Sequence, residues 1–160
     1  MDKILRFSGS EKVFQCPICK SDLRLEQKSL ICSNRHCFDI AKSGYVNLAI
    51  GTKTSKYYSK ETFQNRREIL EKGYYSHILK ALVQLIEDYG RIDTILDIGC
   101  GEGYYSRKIK EALSDKDIIA FDISKDSIQL ASKSDFNNSI KWFVGDLGKM
   151  AIKDKSIDCI

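Results

Sequence analysis

Hydrophobic residues change rhythm twice along this chain. Between residues 14 and 50 they are sparse, and Leu23, Leu25, Leu30 and Ile31 flank a polar turn, which predicts a short hairpin over 22–26 and 29–31. From Glu61 the spacing becomes helical. Phe63, Ile69 and Leu70 precede a stop at Gly73, and a second helix over 76–89 sets Ile78, Leu79, Leu82, Val83, Leu85, Ile86 and Tyr89 on one broad face, the width expected of a helix packed on a sheet. Beyond residue 94, apolar runs at 95–98, 118–121 and 140–144 alternate with helical spacing, through Tyr104, Ile109 and Leu113 and then Ile128 and Leu130 behind a cap at Ser124. Strand alternating with helix predicts an α/β fold with a parallel sheet. Residues 156–160 begin a fourth strand.

The turn after the first of these strands carries the chemistry. Gly99, Gly101 and Gly103 alternate with Cys100 and Glu102, a strand–glycine turn–helix arrangement in which backbone can approach a ligand without a Cβ in the way. A dinucleotide turn runs G-x-G-x-x-G and receives a pyrophosphate. Here the spacing is G-x-G-x-G, and the Glu102 carboxylate would repel phosphate. S-adenosylmethionine bears an ammonium, a carboxylate and a sulfonium but no phosphate, so Asp97 and Glu102 suit it better than they suit NAD. The second strand closes on Asp122, 23 residues after Gly99, where an acid can accept the ribose hydroxyls. The third closes on Asp146, placed to face the adenine edge. Ordinary strand-to-helix turns would explain one such site less strainedly than three in register. The pattern resembles the Rossmann-like class of S-adenosylmethionine-dependent methyltransferases, and residues 61–160 are expected to form that domain.

Four of the six cysteines fall between residues 16 and 37. Cys16 and Cys19 form C-x2-C; after twelve residues Cys32 and His36 form C-x3-H, with Cys37 adjacent to His36 as an alternative fourth ligand. This is zinc spacing, and a closed set of four ligands is structural rather than catalytic. Disulfides are disfavoured in a chain without a secretory signal. Residues 14–50 hold too few apolar groups for a core, and zinc binding, worth roughly 10 to 16 kcal/mol in small structural sites, supplies the missing stability. Residues 1–50 are therefore expected to form a zinc ribbon, with 51–60, polar, basic and aromatic, as the linker. Cys100 and Cys159 read as buried thiols.

Composition adds a direction. The net charge is +4, but residues 1–60 hold 11 Lys plus Arg against 5 Asp plus Glu, whereas 61–160 hold 15 against 17. A basic ribbon ahead of a balanced domain points to a polyanion at the first module. No apolar run spans a membrane, and the expected location is the cytoplasm.

At F-D-I-A-K-S-G-Y-V-N-L (38–48), set between the ribbon ligands and D-I-G-C-G-E-G-Y-Y (97–105), the chain resembles the guanine-N1 methyltransferases of 23S ribosomal RNA. That resemblance implies transfer of a methyl group to N1 of a guanine in a 23S rRNA hairpin, with the basic ribbon as the recognition module. It implies that Tyr75 contacts the cofactor, and it carries over dimerisation as an expectation. It further implies a seven-stranded sheet whose acceptor-seating residues lie at and after the fourth strand, so an incomplete version of the fold, with about four strands, is expected here. The residues alone leave Lys42 and Tyr45 open as RNA contacts or as surface and packing groups. They name no catalytic base. Two other functions compete: a non-catalytic zinc-dependent RNA-binding protein, and a small-molecule methyltransferase.

Overall fold

The computed structural model describes residues 3–51 and 59–160; most of the linker expected over 51–60 lies outside them. The N-terminal third folds around a three-stranded antiparallel sheet. β1 (Arg24–Glu26) pairs with β2 (Ser29–Ile31), as the hairpin pattern predicts, and β2 pairs with β3 (Cys37–Asp39), so that Leu30 stands between Leu25 and Phe38. β3 has a single apolar residue facing the core, Phe38, too little for periodicity to reveal it.

The second sheet is parallel, with strands in the order β4 (Tyr45–Asn47), β7 (Ile140–Val144), β6 (Asp117–Asp122) and β5 (Thr94–Ile98). Its fourth strand is not the one anticipated at 156–160. That segment contributes one bridge, Cys159 opposite Ile95, through Leu96 N donating to Cys159 O at 2.9 Å. β4 comes instead from the first fifty residues and aligns Tyr45, Val46 and Asn47 with Trp142, Phe143 and Val144. One apolar cluster consequently runs from Phe14, Leu23 and Leu30 of the ribbon through Val46 and Leu48 to Ile119, Phe121 and Phe143 of the sheet. Packing is continuous across residue 50.

Among the described residues, four α-helices complete the fold. α1 (Lys60–Glu71) begins at Ser59, whose hydroxyl accepts from Thr62 N, and α4 (Lys125–Ser134) begins at Ser124, whose hydroxyl accepts from Ser127 N. α3 (Tyr104–Ala112) starts directly from the glycine turn. α2 (Ser76–Asp88) departs from expectation: Ile86 is buried and Leu79 and Val83 are partly covered, but Ile78, Leu82, Leu85 and Tyr89 are exposed, Leu85 at 65% and Tyr89 at 81%. The outer part of its apolar face borders an open groove of about 630 Å³ beside β5 and Cys159, where no further strand covers it among the described residues.

A buried charge ties the N-terminus to the sheet. The Arg6 side chain donates to Gly44 O at 3.1 Å and Asn138 Oδ1 at 2.5 Å and lies 3.4 Å from Asp135. Asp135 in turn accepts from Ser139 N, Ile140 N and Trp142 Nε1. Removing one partner of a buried pair leaves the other charge uncompensated. Arg6→Ala is expected to lower the unfolding free energy by roughly 3 to 5 kcal/mol, read from urea unfolding through the fluorescence of Trp142; a loss under about 1 kcal/mol, the size of an exposed pair, would show that the contact is not a brace.

Candidate zinc ribbon and cofactor turn

Two tight turns, one closed by an i+4 and the other by an i+3 hydrogen bond, deliver the ribbon ligands. In the first, Lys20 adopts φ +63° and donates its N–H to Cys16 O; in the second, Arg35 adopts φ +63° and donates to Cys32 O. Each turn folds back toward its first cysteine, and together they bring Cys16, Cys19, Cys32 and His36 into one cluster with all ligand atoms within 4.8 Å of one another. The separations test the fit. Cys19 and Cys32 sulfurs are 3.7 Å apart, and His36 Nδ1 is 3.5 Å from Cys16 Sγ and 3.4 Å from Cys32 Sγ. A tetrahedron with Zn–S near 2.3 Å and Zn–N near 2.0 Å has edges of about 3.8 and 3.5 Å. The residues therefore fit zinc with thiolate and imidazole ligands. Hydrogen bonds from Ser21 lower the Cys19 thiol to about 5, which favours the thiolate that zinc requires. Cys37 lies outside this cluster, its sulfur exposed and turned to Asp39 Oδ1 at 3.8 Å.

The glycine turn is held from beneath by β6. Phe121 O accepts from Gly99 N and Cys100 N, and the Asp122 carboxylate accepts from Gly101 N at 3.0 Å and from Ser124 N at 2.8 Å. Gly103 is sterically obligatory: at φ +78°, a Cβ there would stand 2.5 Å from the Trp142 ring. Gly99 faces open space, the vacant side of the turn. Asp97 sits at the end of β5, accepts from Ser106 Oγ at 2.5 Å, and has its pKa raised, chiefly by burial and also by nearby Asp122. Asp146 accepts from Gly148 N. Asp97 thus lies one residue before the end of β5, Asp122 ends β6, and Asp146 follows β7 by two residues.

Two predicted site residues occupy different surroundings. Glu102 is only 2% exposed and does not present its carboxylate at the open side of the turn; it accepts from Tyr104 N at 3.3 Å and pairs with Arg107 at 3.6 Å, with its pKa raised by burial. Tyr75 lies at the start of α2, 44% exposed. Tyr45 is 5% exposed, aligned with Trp142, so it is a packing residue, while Lys42 is exposed.

Sequence reasoning missed the part played by α1. Phe63 packs over Gly101, 3.8 Å from where its Cβ would be, Arg67 donates to Ser134 Oγ at 2.5 Å, and Glu71 accepts from Arg107 at 3.2 Å. The signal existed: Phe63, Arg67 and Leu70 share one face at helical spacing. Ile123, 44% exposed directly after Asp122, was also passed over.

A parallel sheet with a glycine turn and acids at three strand ends defines a Rossmann-like S-adenosylmethionine-dependent methyltransferase fold. The family model for the methyltransferase domain matches residues 95–160, and a solved structure from Methanococcus maripaludis, provisionally assigned as such a methyltransferase, superposes with a TM-score of 0.55 at 27% identity, covering 67% of this chain and 51% of that one. The ribbon narrows the class. The family model for the RlmA N-terminal zinc ribbon matches residues 14–56. YxjB of Bacillus subtilis, provisionally named a 23S rRNA (guanine-N(1)-)-methyltransferase, is 34% identical over 92% of this chain and 55% of its own length. The 23S rRNA (guanine(748)-N(1))-methyltransferase of Streptomyces fradiae is 28% identical over 77% of this chain and 45% of its own. The chain thus joins an RlmA-type zinc ribbon to a methyltransferase domain, and it is similar to 23S rRNA (guanine-N1) methyltransferases. It spans about half the length of the curated relatives it matches.

The ribbon geometry sets a metal test. One zinc per chain is expected, unchanged in Cys37→Ser, whereas His36→Ala should weaken binding at least roughly tenfold, as loss of a ligand does. Competition with a chromophoric chelator measures both. Loss of zinc from the Cys37 variant alone would overturn the ligand assignment.

Proposed function

We propose that this chain carries the cofactor-binding and RNA-recognising parts of an enzyme that methylates N1 of a guanine in a 23S rRNA hairpin. The observation that carries the reading is the union of the two sites: the glycine turn with its acids stands on a sheet whose edge strand, β4, is supplied by a zinc-binding ribbon. A small-molecule methyltransferase has no use for such a module.

The residues divide the work. Gly99 leaves backbone approachable, Asp97 supplies negative charge for an ammonium, Asp122 faces ribose hydroxyls, and Asp146, with Ile123 alongside, faces the adenine. Tyr75 closes over the amino-acid end from the head of α2. Glu102 adds negative charge through the turn without touching the ligand. Bound S-adenosylmethionine supplies an activated methyl group, so the protein has mainly to position the acceptor and exclude water. Arg24, Lys28, Arg35 and Lys42 are exposed on the ribbon and its following loop, where they can meet phosphates. Guanine N1 lies on the pairing edge, and the base must leave its stack to reach a methyl group. Among the described residues no helix is long and apolar enough to cross a membrane; the reading places the enzyme in the cytoplasm with its rRNA. The domain division at 1–50, 51–60 and 61–160 remains part of this proposal as a division of labour, and a pair of copies is the assembly it carries.

Methyl transfer to unmodified 23S rRNA tests it, since a methyl at guanine N1 blocks pairing and stops reverse transcription at one position. This chain would be assayed beside one extended through a seven-stranded sheet. A stop at one hairpin guanine that requires S-adenosylmethionine is the expected result from the extended chain. RNA retained by both chains with no stop from either would favour the non-catalytic binding protein.

A further inference from the structure

The amino-acid end of S-adenosylmethionine bears a carboxylate as well as an ammonium, and the turn offers mainly acids: Asp97, Glu102 and Asp122. A ligand carboxylate entering beside them needs a cation. Three arginines lie close. Arg107 is committed to Glu71 at 3.2 Å and to Glu102 at 3.6 Å, and Arg67 to Ser134 at 2.5 Å. Arg66 is not committed: it is exposed and has no hydrogen bond or ion pair within the described residues.

Its position follows from α1. Phe63 fixes that helix on Gly101, and Arg66, three residues on, lies one turn further along the same side. The Arg66 charge reaches two of the turn's three acids, acting to lower Asp97 and Glu102 against the effect of their burial. With its neighbour Arg67 tied down, α1 is held in place while the Arg66 guanidinium stays free to turn.

We propose that Arg66 is the specificity-determining cation that receives the carboxylate of S-adenosylmethionine, so that the site distinguishes the intact cofactor from its decarboxylated form. The inference rests on the cofactor reading above. A guanidinium matches a carboxylate in a two-pronged hydrogen bond that an ammonium cannot reproduce. Arg66 therefore answers a need that the acids of the turn create.

Calorimetric binding of S-adenosylmethionine and of decarboxylated S-adenosylmethionine, to the native chain, Arg66→Gln and Arg66→Lys, tests this. Arg66→Gln should weaken S-adenosylmethionine roughly ten- to a hundredfold, the scale of a charge-assisted hydrogen bond, and leave the decarboxylated form within about twofold; Arg66→Lys should recover part of the loss. Equal loss for both ligands would reduce Arg66 to a support of α1, and no change for either would free it for another task such as an RNA phosphate. Both results overturn the proposal while leaving the cofactor reading intact. Failure of the native chain to bind either ligand would defeat that reading together with the inference.

Discussion

Strand β7 is the constraint on which the rest of the structure depends. All five of its residues are buried, and its central Trp142 meets each part of the molecule. The Trp142 ring lies against Gly103 and so shapes the cofactor turn; its indole N–H donates to Asp135, which anchors Arg6. Its backbone aligns with Tyr45 on one side and Ala120 on the other. Parallel strands buried on both faces exchange nearly all their solvent for packing, and a central one tolerates little change.

The long motif at 38–48 acquires a physical meaning from this arrangement. Its glycine, Gly44, adopts φ +92° and gives its carbonyl to Arg6, with the guanidinium 3.2 Å from where a Cβ would be. Tyr45 and Val46 then enter the parallel sheet, and Leu48 N donates to Val144 O. The motif joins two modules. Ribbon and sheet accordingly share one core, since the ribbon's own apolar groups are completed by Ile119, Phe121 and Phe143 from the other side.

What could be read from the sequence was local. Zinc ligands follow from spacing, the acids from strand ends, and the Ser124 cap from its position before an apolar period; each concerns residues close in the chain, whose geometry a short segment determines. The pairing of β4 with β7 joins residues nearly a hundred positions apart, and a three-residue strand carries too little pattern to announce its partner. The burial of Glu102 was illegible for a related reason: its place in the turn can be read, but its side chain's surroundings depend on Arg107 and on α1, whose Glu71 pairs with that arginine. The apolar face of α2 was correctly recognised, yet periodicity says that a face is apolar and not what covers it.

Through β4, ribbon and cofactor turn form one cooperative unit. Affinity for S-adenosylmethionine, measured by calorimetry before and after zinc is chelated, tests it most directly. Loss of zinc should unfold the ribbon, release β4 from β7 and weaken cofactor binding by roughly tenfold or more. Unchanged affinity in a zinc-free chain whose ribbon has unfolded would contradict the claim and show two modules that merely share a chain.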